Sequence, residues 1–140
     1  LLFLGTILAG RRQHWRLLPA LRLNLLMRQM TQLDKTRRRI TMTKAYLIGQ
    51  ITVTNPEGYA RYKAKVPATI QQYGGRYLVR GGTATQLEGK SQGTRHVILE
   101  FPSRAVAEAW YHGPEYQSIL PHRTENSTGE ITLVDGYEPE

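Results

Sequence analysis

Across residues 45–134 the apolar residues change period repeatedly, and the order of those changes leaves few folds open. Residues 45–54 (AYLIGQITVT) alternate Leu47, Gly49, Ile51 and Val53 with Tyr46, Ile48, Gln50 and Thr52, which predicts a strand with both faces at least partly covered. Asn55 and Pro56 follow as the cap and first position of a helix, where proline's missing N–H costs nothing. Tyr59, Tyr62, Val66, Ile70 and Tyr73 recur three or four residues apart and form one apolar stripe. Gly74-Gly75 ends the helix, with Gly74 expected in the left-handed region. Pro67, inside it, is expected to kink or split it. Residues 76–80 (RYLVR) predict a second strand, and the polar, glycine-containing stretch 83–93 a flexible connection. Residues 94–101 (TRHVILEF) predict a third strand, with Val97, Leu99 and Phe101 on one face and His96, Ile98 and Glu100 on the other. Ser103 caps a helix carrying Val106, Ala109 and Trp110; Gly113-Pro114 interrupts it, and 115–120 adds a helical turn or two. Residues 130–134 predict the last strand.

The order strand–helix–strand–strand–helix–strand is the ferredoxin-like split arrangement, an α+β fold whose antiparallel sheet carries both helices on one face. The other sheet face stays open. Here it carries apolar residues, which predicts burial against a second copy, a homodimer.

Charge divides the chain sharply. The formal net charge of +8 lies wholly in residues 1–41, where nine basic residues face the single acid Asp34; residues 42–140 hold ten of each sign. Basicity therefore describes the extension and not the body, and the body has no basic stripe that would suggest nucleic-acid binding. Residues 1–9 are apolar and Arg11-Arg12 follows them, the reverse of a secretory signal. Leu18, Leu21, Leu25 and Leu26 fall at helical spacing among arginines, which fits a basic amphipathic helix or an organelle-targeting peptide, although the segment holds no Ser. The Leu- and Arg-dominated composition also fits translated upstream DNA, with Met42 as the natural start. Residues 1–41 are accordingly expected to be a disordered extension or foreign to the native protein, and 42–140 the folded domain. No apolar run reaches membrane-spanning length, so no membrane partner is expected. The chain lacks cysteine, which excludes disulfides and thiolate chemistry and is compatible with a cytoplasmic location.

The segments KAYLIGQITVTNPEGYARY, YGGRYLVRGG, LEG and ILEFPSRAVAEAWYHGPEYQSILPHR together resemble the family catalogued as domain of unknown function 1330, over about residues 42 to 139. The resemblance implies a dimeric α+β barrel, in which two ferredoxin-like sheets pack face to face. It implies no substrate and no catalytic residue. Gly113 stands where the family more often has Ser before Pro114.

The candidate pocket residues are Arg80, His96, Glu100, Trp110, Tyr116 and Arg123. Arg80 ends a strand before Gly81-Gly82, where backbone approaches a ligand closely and a guanidinium binds carboxylate or enolate oxygens. Its alternative role is cross-strand. With the hairpin centred near Glu88, Arg80 lies opposite His96 and Arg76 opposite Glu100, the latter an ordinary ion pair of ~0.2–1 kcal/mol. His96 has the chemistry of an acid or base, and a structural role is the commoner one. Trp110 and Tyr116 line an aromatic pocket or fill the core. Arg123 reaches a pocket mouth or pairs with Glu115 or Glu125. The histidines show no close metal-ligand spacing, GGRYLVRGG matches no nucleotide-binding pattern, and no cofactor is expected. Two readings stay open: a small-molecule binder or cofactor-independent enzyme for an anionic or aromatic metabolite, and a non-catalytic structural or stress-related homodimer.

Overall fold

The computed structural model describes residues 14–139, so the apolar run at 1–9 lies outside them. The chain divides into two units, Leu1–Ile40 and Thr41–Glu140. Most of the helix α1 (His14–Met42), which bears the expected leucine spacing, belongs to the first. Leu21, Leu25 and Leu26 are exposed along it, and Asp34 pairs with Arg38 one turn on. Apart from Pro19 this stretch has no helix breaker and is rich in Leu, Met, Arg and Gln, all good helix formers. Among the described residues no helix is long and apolar enough to cross a membrane.

The second unit has the order β1 (Ala45–Val53), α2 (Pro56–Gln72), β2 (Arg76–Arg80), β3 (Arg95–Phe101), α3 (Arg104–His112), α4 (Pro114–Thr124) and β4 (Ser127–Asp135). The strands form one antiparallel sheet in the order β2-β3-β1-β4, the ferredoxin-like topology. The caps are as the sequence predicts: Asn55 accepts from the Gly58 N–H, Ser103 accepts from the Val106 N–H, and Gly74 takes φ of 71°. β4 is longer than its apolar run because β1 pairs with it along its whole length, from Ala45↔Asp135 to Val53↔Ser127. On α3 the buried small residue is Ala107, not Ala109.

Alternation along the strands sends Leu47, Ile51, Leu99 and Phe101 to the helix side, where all four are buried and Leu47, Leu99 and Phe101 form one cluster with Val66, Ile70, Trp110, Tyr116 and Ile119. The other side of the sheet carries Tyr46, Ile48, Gln50, His96, Ile98 and Glu100, all half-buried and away from α2, α3 and α4.

Pro67 does not split α2, which runs unbroken. A proline at 67 cannot donate to the Lys63 carbonyl four residues earlier. That carbonyl instead accepts from Arg80 Nη2 at 3.1 Å, so the lost bond is replaced from the neighbouring strand.

Candidate functional site

β2 and β3 do not keep one register. Arg76 lies opposite Glu100 and Tyr77 opposite Leu99, but the pairing shifts between Tyr77 and Val79, so Arg80 lies opposite Val97. The expected Arg80–His96 pairing is therefore displaced by one residue; only the Gly81 N–H reaches the His96 carbonyl, at 2.7 Å. A one-residue shift turns a side chain to the other face of a sheet. Here it places Arg80 on the helix side together with Tyr77, and the Arg80 guanidinium carbon sits 4.7 Å from the Tyr77 ring centroid.

Arg95 reaches the same side by ordinary alternation, in phase with Val97, Leu99 and Phe101. A side chain at Gly81 would collide with it, because a Cβ there would lie 2.2 Å from Arg95 Nη1. Arg123 comes from α4, on one buried stripe with Tyr116 and Ile119. α2 contributes Tyr59 and Tyr62, and α3 contributes Trp110.

These groups line a cavity between sheet and helices of about 30 Å³, roughly the volume one water molecule occupies in the liquid. Its charged lining is Lys63, Arg80, Arg95 and Arg123, and no carboxylate lines it. Exposure falls inward: Lys63 and Arg80 are exposed, Arg95 is half-buried, and Arg123 is only 9% exposed. Among the described residues none of the three arginines makes an ion pair, and the Nε atoms of Arg95 and Arg123 are buried without a hydrogen-bond partner. The rest of the lining includes the aromatic residues Tyr59, Tyr62, Tyr77, Trp110 and Tyr116. Trp110 and Tyr116 stack with centroids 4.1 Å apart, and the Tyr62 and Tyr116 hydroxyls lie 3.2 Å from each other. Burial, reinforced by the neighbouring Tyr116, pushes the Tyr62 phenol far above its ordinary range. Burial also raises Tyr59, with partial relief from the Arg95 guanidinium. Both phenols therefore stay protonated through the neutral range.

Of the sequence-predicted residues, Arg80, Trp110, Tyr116 and Arg123 come together in this cavity. His96 and Glu100 do not: they lie on the opposite sheet face, across from Gln50 and Tyr46. Glu100 accepts from Arg76 Nε at 2.9 Å and from Lys44 Nζ at 3.2 Å, which together hold its carboxyl below the ordinary range. Arg123 pairs with neither Glu115 nor Glu125; Glu115 instead accepts from the Tyr73 hydroxyl at 3.0 Å. Trp110 serves core and cavity alike, 1% exposed with its indole N–H on Thr69 Oγ1 at 3.0 Å. Arg95 is the residue that sequence reasoning misses, although its phase with Val97 and Leu99 is the signal that marks it. Among the described residues no three His, Asp or Glu side chains cluster to hold a metal ion.

The crystal structure of RPA0582, a protein of unknown function from Rhodopseudomonas palustris, aligns with a TM-score of 0.58 at 17% identity, covering 78% of this chain and 94% of that one. SnoaB, a cofactor-independent oxygenase from Streptomyces nogalater, aligns with a TM-score of 0.45 at 12% identity, covering 69% and 96%. At these identities the likeness to RPA0582 speaks to fold alone. No curated protein matches the chain. Residues 44–137 match the family described as "Domain of unknown function (DUF1330)", and since that match covers most of the chain, the protein belongs to this family.

Proposed function

We propose that the chain binds a small anionic metabolite in the cavity between sheet and helices, with the aromatic wall favouring a planar one. The observation that carries this reading is the convergence of Arg80, Arg95 and Arg123 on a space lined by no carboxylate. A buried, uncompensated guanidinium is expensive, and an anion from solution is the simplest compensation. Guanidinium forks suit carboxylates through paired N–H···O bonds. The lining contains no Asp, Glu or His, and the Tyr59 and Tyr62 phenols are held protonated. The lining thus offers no carboxylate or imidazole as a general base, which favours binding over general-base catalysis. All the lining residues fall between Leu47 and Ile131, so we assign the activity to residues 42–140 and none of it to the basic extension.

Benzoate is a suitable probe for the full chain. At a hundred times its Kd it is expected to stabilise the fold by ~2.7 kcal/mol, a rise in melting temperature of about 10 °C or more. Arg80→Ala is expected to weaken binding at least about tenfold while leaving the far-ultraviolet circular dichroism unchanged, since Arg80 is exposed and loses only its contacts to the Lys63 carbonyl and the Tyr77 ring. No stabilisation by benzoate, dianions or phosphate would overturn the reading. It would favour a purely structural module, which the small cavity and the tie from Arg80 to Lys63 also suit.

We further propose that the open sheet face is covered by a second copy. Tyr46, Ile48, Ile98 and Leu78 make this face apolar, and Leu78 is 45% exposed. Light scattering at micromolar concentration is expected to give twice the 16.0 kDa chain mass, and Ile98→Asp to halve it. A monomeric parent protein would sink this assembly.

A further inference from the structure

We propose that the cavity is built for a dianion, a small molecule carrying two negative charges such as a dicarboxylate or a phosphate monoester. The inference rests on the anion-binding reading and narrows it. The body of the protein holds ten acidic residues against ten basic ones, yet four basic residues and no acidic one line this cavity. A single negative charge would leave at least two of the three guanidinium groups uncompensated.

Placement supports the count. Arg80 lies opposite Val97 on the neighbouring strand, and Arg95 is two residues from Val97 on the same face. The two arginines are thus diagonal neighbours, whose backbones stand ~7–8 Å apart. Arg123 approaches from α4, on the helix side. Two anionic groups a few ångströms apart, one held between Arg80 and Arg95 and the other by Arg123, would engage all three. Arg123 is more than nine-tenths buried and its Nε has no partner, as is true of Arg95 Nε. Arg80 spends only one N–H on the Lys63 carbonyl. The Tyr62 and Tyr116 hydroxyls bond to each other, which leaves the pair one further O–H for an oxyanion. Entry would be from the side of Lys63 and Arg80, the exposed cations, which would draw an anion toward the buried one. Because the cavity is about 30 Å³, this side must open for a ligand to enter.

Titration calorimetry on the full chain at pH 7.5 with pairs matched in shape tests this: phthalate against benzoate, succinate against butyrate, and phenyl phosphate as the phosphate arm. The dianion of at least one pair, or phenyl phosphate over benzoate, is expected to bind about 10–100-fold more tightly. Arg95→Met is expected to reduce that preference to within about threefold. Arg95→Gln, which keeps the hydrogen bonding and removes the charge, provides the same readout should the Met variant fail to fold. The arm that binds identifies diacid or phosphate ester. Equal affinity for dianion and monoanion would overturn the dianion inference and leave the anion site standing. A preference untouched at Arg95 would overturn it too, by placing the recognition elsewhere, for instance on the basic extension. Absence of any binding would remove both.

Discussion

Replacing Trp110 by Ala is expected to cost the domain ~3–5 kcal/mol, a large share of the ~5–15 kcal/mol that holds a typical domain folded. The indole is 1% exposed and packs on Phe101 at 5.1 Å and Tyr116 at 4.1 Å between ring centroids. Truncation removes that packing and leaves a void which three elements would have to close. It also deprives the buried Thr69 hydroxyl of its indole donor, although that hydroxyl still donates to the Val66 carbonyl at 2.8 Å. The melting temperature is expected to fall by at least about 12 °C. Trp110→Phe, which keeps a ring in the same place, is expected to lose much less. An unchanged melting temperature in the alanine variant would show that Trp110 is not part of the core, and that the aromatic wall serves ligand alone.

Arg123→Met is expected to act in opposite directions on stability and on binding. Without ligand, the variant exchanges a buried guanidinium that has no ion-pair partner for an apolar chain of similar length, which removes the cost of burying the charge and is expected to leave stability unchanged or raised. With ligand, the deepest guanidinium is gone, and affinity for an anion is expected to drop by a factor of about 100 or more. Chemical denaturation and calorimetry on the same preparation read both effects. The backbone of Arg123, whose carbonyl accepts from Ser127 Oγ and the Asn126 N–H, is unaffected by the change. A variant that is destabilised without ligand would make the guanidinium a brace against the Tyr116 phenol and not a ligand site.

The fold was legible because each element carries its own local signal. Caps at Asn55 and Ser103, the left-handed Gly74 and the strand alternations act within a few residues of themselves. The site was legible only in part, and each shortfall has a physical cause. The register shift on β2 is a relation between two strands; the residues RYLVR bear no mark of it, and a regular hairpin puts Arg80 opposite His96 where the structure has Val97. Arg95 was in phase with the core face from the outset, but a charged residue at a strand's first position ordinarily escapes to solvent. Arg123 likewise shares helical spacing with Tyr116 and Ile119, and its burial runs against the habit of arginine. His96 and Glu100 were assigned to the face away from Val97, Leu99 and Phe101. That phase already separates them from any cavity under the helices.

The proline in α2 reaches further than its own helix. Most helices consume their carbonyls internally, and this one leaves a socket at Lys63 into which a side chain from β2 plugs. Positions 67 and 80 are therefore coupled through one carbonyl despite lying on different elements. Any residue restoring an N–H at 67 would compete with Arg80 for a single acceptor and loosen the guanidinium at the cavity mouth. A change at 67 would therefore be felt at 80, and a change at 80 would leave the Lys63 carbonyl without its side-chain donor.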